Sequence, residues 1–265
     1  MPELPDVQVF KELFDATWLD KRIAAVLQCD GMLLEGVSLG GLRQRLTGHS
    51  FRRTERHGKH LFACLDAESC LVLQLGPGGF LAAFRDGEKA PDHSRLLLRF
   101  EDGQHLAYCC RLQLGRISLA ASVEAFIASR NLGPDALALC SDQQAFAARL
   151  AGHHGALRTL LTNQKVLAGI GNAYADEILF HLGLHPRQRA ADLRQDERRE
   201  LAATTRHVLE TAIDNRAGAG GWPKNWLMPR REDGQHCPCC SGTIRRTTVA
   251  GRDAYFCSCH QDEAR

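Results

Sequence analysis

The 265-residue sequence contains no apolar run that approaches the ~20 residues a membrane-spanning helix needs. Its first residues are acidic and lack an apolar signal core, so a secretory signal is not expected. Its net charge is only +2, so overall charge does not point to a nucleic-acid partner. No internal repeat or low-complexity segment is present. These absences, with 44% hydrophobic and 24% charged residues, favour an ordinary globular protein.

The order of local patterns predicts an α+β protein. Apolar residues at helical spacing predict a helix from about residue 5 to 19, and short alternating or apolar runs predict strands from about 23 to 119. The segment "NLGPDAL" (131–137) is rich in helix breakers and marks a boundary, after which the pattern is helical from about 141 to 217. The expected domains are residues 1–130, 131–231 and 232–265.

Eleven cysteines are many for a protein without a secretory signal. An odd number in that setting argues against a disulfide framework. Six are scattered and are expected to be small buried apolar residues: Cys29, Cys64, Cys70, Cys109, Cys110 and Cys140. The other five crowd into the C-terminal tail: Cys237, Cys239, Cys240, Cys257 and Cys259.

The spacing in this tail predicts a structural zinc site. Cys237-x-x-Cys240 is followed by sixteen residues and then by Cys257-x-x-His260. Two such pairs build one tetrahedral site on a hairpin, and a tail of about 30 residues is too short to fold on an apolar core alone. Cys259 remains an alternative to His260, and Cys239 is a spare in the first pair. Residues 222–252 hold six basic and two acidic residues, which suits a phosphate-facing surface or simply a solvated one.

The segment "AGIGN" (168–172) places two glycines and Asn172 between apolar helical stretches. This pattern predicts a tight turn with a helix starting at about Asn172, where backbone N–H groups and the Asn amide bind a phosphate. An ordinary packing turn is the alternative. His181 and His185 are expected to be packing or surface residues, because no metal-ligand partner lies at a suitable spacing.

The segment "RRTERHGKHLF" (52–62) has basic residues and histidines around a glycine turn before a strand. A hairpin tip carrying Lys59 would reach a phosphate or a reacting sugar. A solvated turn is the alternative.

The first six residues, "MPELPD", raise the question of whether the chain end is chemical. Removal of Met1 would leave Pro2 with a free secondary amine, and Glu3 beside it as a proton carrier. The alternative is a loose, solvated terminus, which is common in proteins.

Together these motifs resemble the formamidopyrimidine-DNA glycosylase / endonuclease VIII family. "PELPD", "GKHLF", "NLGPDAL", "NQKVLAGIGNAYADEILF" (163–180) and the cysteine-rich tail occur in one order and cover essentially the whole chain. The 163–180 stretch is the most specific and matches the family's helix–two-turn–helix. The resemblance implies an N-terminal β-sandwich with an N-terminal helix, a helical domain and a C-terminal zinc-finger hairpin, with DNA in the cleft between.

The resemblance also implies roles for particular residues. Pro2 becomes the nucleophile, Glu3 the acid/base residue, and Lys59 contacts DNA near the reacting sugar. Asn172 and Arg252 hold the DNA backbone. The implied cofactor is one structural zinc ion bound by Cys237, Cys240, Cys257 and His260.

Several positions depart from the family's pattern. Asp6 stands where the family usually has Glu, and His260 replaces the last cysteine. Pro77 stands where a Met usually fills the space of the flipped base, and "YCCRLQLG" (108–115) replaces the usual wedge loop. Arg111 could still reach the orphaned base and Leu112 could intercalate, without the stacking area of Phe.

The resulting hypothesis is a bifunctional DNA glycosylase and abasic-site lyase that removes oxidised bases from duplex DNA. The alternatives are an abasic-site lyase with little base excision, and a non-catalytic protein that only binds damaged DNA. A monomer without a membrane partner, located in the cytoplasm and associated with the nucleoid through DNA, is expected.

Overall fold

The computed structural model describes residues 1–261, and the chain divides into two compact units. The first contains Met1–Pro2 and Asp6–Asn131, and the second contains Glu3–Pro5 and the chain from Leu132 onward. The division at Asn131 lies inside the breaker-rich segment "NLGPDAL". Among the described residues, no helix is both long enough and apolar enough to cross a bilayer.

The first unit is built on two four-stranded antiparallel sheets. Its strands are β1 (Ile23–Cys29), β2 (Phe51–His57), β3 (His60–Leu65), β4 (Cys70–Gln74), β5 (Phe80–Arg85), β6 (Ser94–Phe100), β7 (Gln104–Cys109) and β8 (Arg116–Ala120). One sheet has the spatial order β1-β6-β7-β5 and the other β2-β3-β4-β8. Its helices are α1 (Leu4–Trp18), α2 (Leu39–Leu46) and α3 (Val123–Ser129), with a 3₁₀ turn at Gly31–Leu33.

One apolar core fills the space between these two sheets. Phe51 from β2 and Phe100 from β6 are fully buried in the same cluster, together with Phe14 and Trp18 from α1. Phe14 packs edge-on against Phe51 at 5.2 Å, and the Trp18 indole donates a hydrogen bond to the His105 carbonyl. Edge-to-face contacts of this kind add to the stabilisation from burial. The structure therefore confirms the predicted β-sandwich with an N-terminal helix.

One pair of cysteines corrects the sequence analysis. Cys64 and Cys70 form a disulfide, whereas the scattered cysteines were expected to be separate buried residues. The reason lies in the register of β3 and β4, which places these two residues directly opposite each other. Side chains at directly paired positions lie close enough to be joined. The other scattered cysteines are free thiols, and all but the half-buried Cys29 are buried.

The second unit is helical and ends in a hairpin. Its helices are α4 (Ala136–Leu139), α5 (Gln143–Leu150), α6 (Leu157–Leu161), α7 (Asn172–His181) and α8 (Gln195–Asp214), and its strands are β9 (Ile244–Val249) and β10 (Arg252–Cys257). Helix α7 is buried along most of its length and packs in one apolar cluster with α8. It begins at Asn172, as the sequence predicts. Phe180 at its other end packs in a second cluster with Ile244 of the hairpin.

Candidate functional site

The carboxylate of Glu3 is fixed at the start of helix α7. It accepts hydrogen bonds from the backbone N–H groups of Gly171, Ala173 (3.0 Å) and Tyr174 (3.4 Å). Gly171, the N-cap residue, has no side chain to satisfy these groups, so Glu3 supplies the cap from 168 positions away. The first N–H groups of a helix lack intrahelical partners and carry a partial positive charge. Glu3 is therefore buried, at 6% exposure, in a site that favours its negative charge.

The turn that receives Glu3 depends on Gly169. This residue has φ +120°, and a Cβ there would lie 2.6 Å from the Leu4 side chain. The Gly169 carbonyl accepts a hydrogen bond from the Leu4 N–H at 3.0 Å, so two successive residues, Glu3 and Leu4, are anchored on the turn. A larger residue at position 169 would displace the chain that carries Glu3.

Gln164 braces this turn and was not identified in the sequence analysis. Its side-chain oxygen accepts a hydrogen bond from the Gly169 N–H at 2.9 Å, and its amide donates to the Ile170 carbonyl at 2.8 Å. The amide also reaches the Thr162 carbonyl. A polar residue beside a double-glycine turn is the only sequence signal for this role, and it is weak.

Two further candidates, Pro2 and Asn172, are chain neighbours of the anchored residues Glu3 and Gly171. Pro2 is half-buried and precedes Glu3 directly, so the position of its backbone follows from that of Glu3. Met1 before it is 56% exposed. Asn172 is the first residue of α7, and its buried side-chain oxygen has no hydrogen-bond partner among the described residues.

Lys59 lies in the two-residue turn between β2 and β3, as the sequence analysis placed it. Gly58 takes φ +57°, which suits the first position of such a turn, and His57 pairs directly with His60. Lys59 is nevertheless buried, at 7% exposure, so it is not a solvated hairpin tip. Burial lowers the pKa of the neighbouring His60 to about 4, which leaves that imidazole neutral.

Two turns of the first unit carry two of the departures from the family's pattern. Pro77 occupies the second position of a turn closed by the Gly79 N–H and the Gly76 carbonyl at 2.7 Å, with Gly78 at φ +67°. The loop after β7 presents Arg111 and Leu112 to solvent.

Four side chains of the C-terminal hairpin form a compact group of metal-ligand atoms. The donor atoms of Cys237, Cys240, Cys257 and His260 all lie within 4.8 Å of one another. The Cys240 sulfur is 3.4 Å from that of Cys257 and 3.6 Å from His260 Nδ1. Ligands around a tetrahedral zinc ion lie about 3.8 Å apart for two sulfurs and about 3.6 Å apart for sulfur and nitrogen. The group therefore fits that ion.

The two other cysteines of the tail, Cys239 and Cys259, lie outside this group of ligand atoms. The Cys239 sulfur contacts the Asn225 carbonyl at 3.2 Å, and the Cys259 side chain is exposed. His260 instead places Nε2 3.3 Å from the Phe180 carbonyl. A proton on Nε2 would leave the Nδ1 lone pair facing the three sulfurs, which is the usual arrangement of a metal-bound histidine.

Asp176, in the middle of α7, ties the hairpin to the helix. It is fully buried and accepts hydrogen bonds from the guanidinium groups of Arg158 (2.6 Å) and Arg231 (2.9 Å) and from the Tyr255 N–H (3.3 Å). The Arg158 guanidinium also donates to the Asp253 carbonyl. A charged residue within "AYADEILF" is the sequence signal that would have revealed this role.

Arg252 is exposed at the first position of β10, next to Asp253, and makes no side-chain hydrogen bond or ion pair within residues 1–261. Arg245 and Arg246 are exposed on β9. His181 and His185 are packing residues, as expected: His181 lies 3.0 Å from Glu177, and His185 packs edge-on against Phe256.

Comparisons with known proteins agree along the whole chain. The profile of the formamidopyrimidine-DNA glycosylase N-terminal domain matches residues 1–117, and that of the formamidopyrimidine-DNA glycosylase H2TH domain matches residues 132–221. A formamidopyrimidine-DNA glycosylase of Moorella thermoacetica is 32% identical, covering 93% of this chain and 94% of the relative. One from Laribacter hongkongensis is 30% identical, covering 97% and 98%.

Solved structures show the same fold. The formamidopyrimidine-DNA glycosylase of Lactococcus lactis, non-covalently bound to DNA containing an abasic site, superposes with a TM-score of 0.87. It is 22% identical and covers 98% of this chain, with 100% of its own length matched. MutM in complex with DNA containing carbocyclic 8-oxoguanine has the same TM-score and identity and covers 99% of this chain and 100% of its own.

Proposed function

Since this chain belongs to the formamidopyrimidine-DNA glycosylase family, we propose that it is a base-excision repair enzyme, a DNA glycosylase that also cleaves abasic sites. The substrate is duplex DNA that carries oxidised bases or abasic sites. The observation that supports this most strongly is the fixed carboxylate of Glu3 next to Pro2.

Pro2 is the proposed nucleophile. An amine must be neutral to attack the sugar carbon C1′, and a chain-terminal α-amine with a pKa near ~7.8 is roughly a seventh neutral at about pH 7. An unperturbed lysine is below about 0.1% neutral under the same conditions. Proline is somewhat more basic than a generic α-amine, so its neutral fraction is smaller than this value but still exceeds that of lysine. Its advantage in a later step is larger, because a secondary amine gives an iminium with no N–H to lose.

The reaction balances with these two residues and water. The Pro2 nitrogen bonds to C1′, the bond from C1′ to the base breaks, and the base takes up a proton. The Glu3 carboxylate takes the proton that the Pro2 nitrogen loses on bonding and passes it to the ring oxygen as the sugar opens, which leaves the iminium at C1′. Loss of a C2′ proton then breaks the bond from C3′ to oxygen, and the 3′ phosphate leaves with that electron pair. Water finally hydrolyses the iminium and frees Pro2.

The remaining site residues are assigned to DNA binding. Asn172, at the start of α7, and the exposed Arg252 of the hairpin are proposed to hold phosphates. The exposed Arg111 is proposed to reach the base left unpaired when the target leaves the stack. Lys59, in the turn after β2, is proposed to contact DNA near the reacting sugar.

Zinc is proposed to hold the hairpin that carries Arg252, with Cys237, Cys240, Cys257 and His260 as ligands. Its chemistry there is structural, since four protein ligands leave no open position for substrate. The contacts around Asp176 and the apolar cluster of Phe180 and Ile244 also hold β9 and β10 against α7.

We expect the purified protein to contain one zinc ion per chain and His260→Ala to lose most of it. DNA affinity should fall at least tenfold in the same variant, because metal-binding energy is folding energy for a small hairpin. Elemental analysis and a DNA-binding titration measure the two effects. Cys259→Ala is the matched control, and loss of zinc in that variant alone would reverse the ligand assignment.

An abasic-site lyase with little base excision is the second candidate, and the turn at Pro77 favours it. Proline is shorter and stiffer than the methionine of the family's pattern, and the loop after β7 offers Leu112 where an aromatic residue is usual. Stacking on an aromatic ring contributes roughly 1–3 kcal/mol per base. Extruding an intact base costs a few kcal/mol, whereas an abasic site has no base to extrude.

We therefore expect abasic-site cleavage to be at least tenfold faster than excision of 8-oxoguanine under single-turnover conditions. Pro77→Met should reduce this difference between the two rates. The control Pro91→Met replaces a proline in another loop of the same unit and should leave the difference unchanged. Equal wild-type rates on the two substrates would contradict the prediction.

Borohydride trapping on abasic DNA tests the proposed function as a whole. Only an imine is reduced to a stable cross-link, so a protein that merely binds damaged DNA gives none. Release of free 8-oxoguanine from lesion DNA then separates the glycosylase from the simple lyase.

A further inference from the structure

A charged pair of side chains borders the free edge of strand β10. The hairpin sheet consists of β9 and β10, and Arg252 pairs with Val249 across a two-residue turn. In an antiparallel pair, the backbone groups of alternate residues point away from the partner strand. Asp253 and Tyr255, which lie two positions apart, therefore turn their N–H and C=O groups toward this free edge.

Arg158 of α6 and Asp176 of α7 bind these backbone groups. Asp176 accepts a hydrogen bond from the Tyr255 N–H at 3.3 Å, and the Arg158 guanidinium donates to the Asp253 carbonyl. Arg158 Nε also donates to Asp176 at 2.6 Å, so the pair presents one donor and one acceptor to the edge in a fixed relation. Both side chains are buried, at 2% and 0% exposure. The pair thus takes the place that a third strand has in a larger sheet.

Arg231 binds the second oxygen of the Asp176 carboxylate. Two nitrogens of its guanidinium lie 2.7 and 2.9 Å from that oxygen, and the group lies over the Tyr255 ring, 4.6 Å from the ring centre. Asp176 therefore faces two guanidinium groups, and removal of its charge would leave a buried cation without its partner. The arrangement is specific to arginine, because a planar guanidinium donates in fixed directions that a lysine ammonium does not reproduce.

These edge contacts lie near the turn end of the hairpin, where Arg252 is exposed. The proposed zinc ligand Cys257 is at the opposite end of β10, five residues from Arg252, or about 17 Å along a strand. A two-stranded hairpin alone is marginally stable in water, so a metal ion at one end does not fix the other end. The contacts at Asp253 and Tyr255 restrain the backbone that carries Arg252.

We infer that the Arg158–Asp176 pair fixes the register of β10 and thereby aims Arg252 at a DNA phosphate, independently of the zinc ion. The inference rests on the proposed function for the phosphate contact of Arg252. A strand that shifts by one residue turns each side chain to its other face, so loss of the edge contacts displaces Arg252. Arg158 and Asp176 are therefore positioning residues for DNA binding.

The test measures binding of the full-length protein to a duplex that contains a non-cleavable abasic analogue. Arg158→Lys keeps the buried charge but loses the planar fork, and its affinity should fall at least fivefold. The slope of log affinity against log salt concentration should decrease in size by about 0.9, the value for one lost phosphate contact. Arg206→Lys, at an exposed arginine of α8 that pairs with Glu210, is the matched control and should bind like wild type.

Asp176→Asn separates the positioning role from simple electrostatics. Removal of a negative charge from a DNA-binding protein strengthens its attraction for phosphates. Loss of the charged pair should instead lower the affinity at least fivefold. The control Asp196→Asn removes an exposed carboxylate of α8 that pairs with Arg194, and it should bind as tightly as wild type or more tightly.

A double-mutant cycle with Arg252→Ala connects the pair to that arginine. In the Arg252→Ala background, Arg158→Lys should weaken binding by less than a further factor of two, because no side chain is left to position. Zinc content and the unfolding midpoint are measured for every variant, and both should stay near the wild-type values in Arg158→Lys.

Wild-type affinity of Arg158→Lys or of Asp176→Asn would overturn the inference, as would an undiminished effect of Arg158→Lys in the Arg252→Ala background. Loss of zinc or of cooperative unfolding in Arg158→Lys would also overturn it, because the pair would then be a folding element of the hairpin. Borohydride trapping by the wild-type protein is scored separately. Failed trapping with the expected cycle counts against the proposed function and not against the positioning pair.

Discussion

A protein that retains Met1 should form no borohydride-stable cross-link with abasic DNA, whereas the processed protein should cross-link efficiently. With Met1 in place, the Pro2 nitrogen is an amide and has no nucleophilic lone pair. The new terminal amine is primary and lies one residue away, about 3.3–3.6 Å along an extended chain. A displacement of that size removes a reacting group from attack geometry. Trapping followed by gel electrophoresis, with the terminus established by mass, measures the effect.

The companion variant Pro2→Gly keeps an amine at the same position but makes it primary. We expect trapping to be at least 100-fold slower, because its iminium can lose the N–H proton and then no longer withdraws electrons. DNA affinity should stay within about tenfold of wild type in both samples, since the phosphate contacts proposed for Asn172 and Arg252 are untouched. Efficient trapping by the Met1-retaining protein would place the nucleophile elsewhere, and Lys59→Ala would show whether it is that lysine.

The sequence predicts most of the fold because the responsible signals are local. Apolar periodicity predicts α1 within one residue of its observed ends, and the double-glycine turn predicts the start of α7 at Asn172. The hairpin turn at Gly58–Lys59 follows from the same kind of signal.

The contacts that complete the site come from residues far apart in the chain. The cap that Glu3 provides spans 168 positions, and the pairing of Asp176 with Arg231 spans 55. No periodicity encodes such a contact. The choice between Cys259 and His260 likewise depends on the Phe180 carbonyl, 80 positions away, and the Cys64–Cys70 disulfide depends on strand register. Burial of Lys59 is also a property of the assembled sandwich.

Glu3→Gln should reduce the excision of 8-oxoguanine by about 10²–10⁴-fold, the usual contribution of general acid–base catalysis. The glutamine amide cannot deliver a proton to the sugar oxygen, and it cannot accept all the hydrogen bonds that the turn donates to the carboxylate. Glu3 now accepts three backbone N–H groups, and the NH₂ of glutamine would face at least one of them donor to donor. Loss of a helix cap costs about 0.5–2 kcal/mol, so the unfolding midpoint should fall by a few degrees. Single-turnover excision assays and thermal unfolding measure the two effects.

Abasic DNA separates the chemical role of Glu3 from its structural one. An abasic site already exists partly as an open aldehyde, which reacts with Pro2 without protonation of the ring oxygen. The Glu3→Gln variant should therefore trap abasic DNA at a rate within about tenfold of wild type, whereas its rate of 8-oxoguanine excision should fall by about 10²–10⁴-fold. Glu12→Gln is the matched control, because it makes the same carboxylate-to-amide change on α1, at a residue that accepts a hydrogen bond from Gln8 one turn away and is not assigned to the site. If excision and abasic trapping fall together by the same factor, Glu3 acts through the turn that positions Pro2 and not as the proton donor.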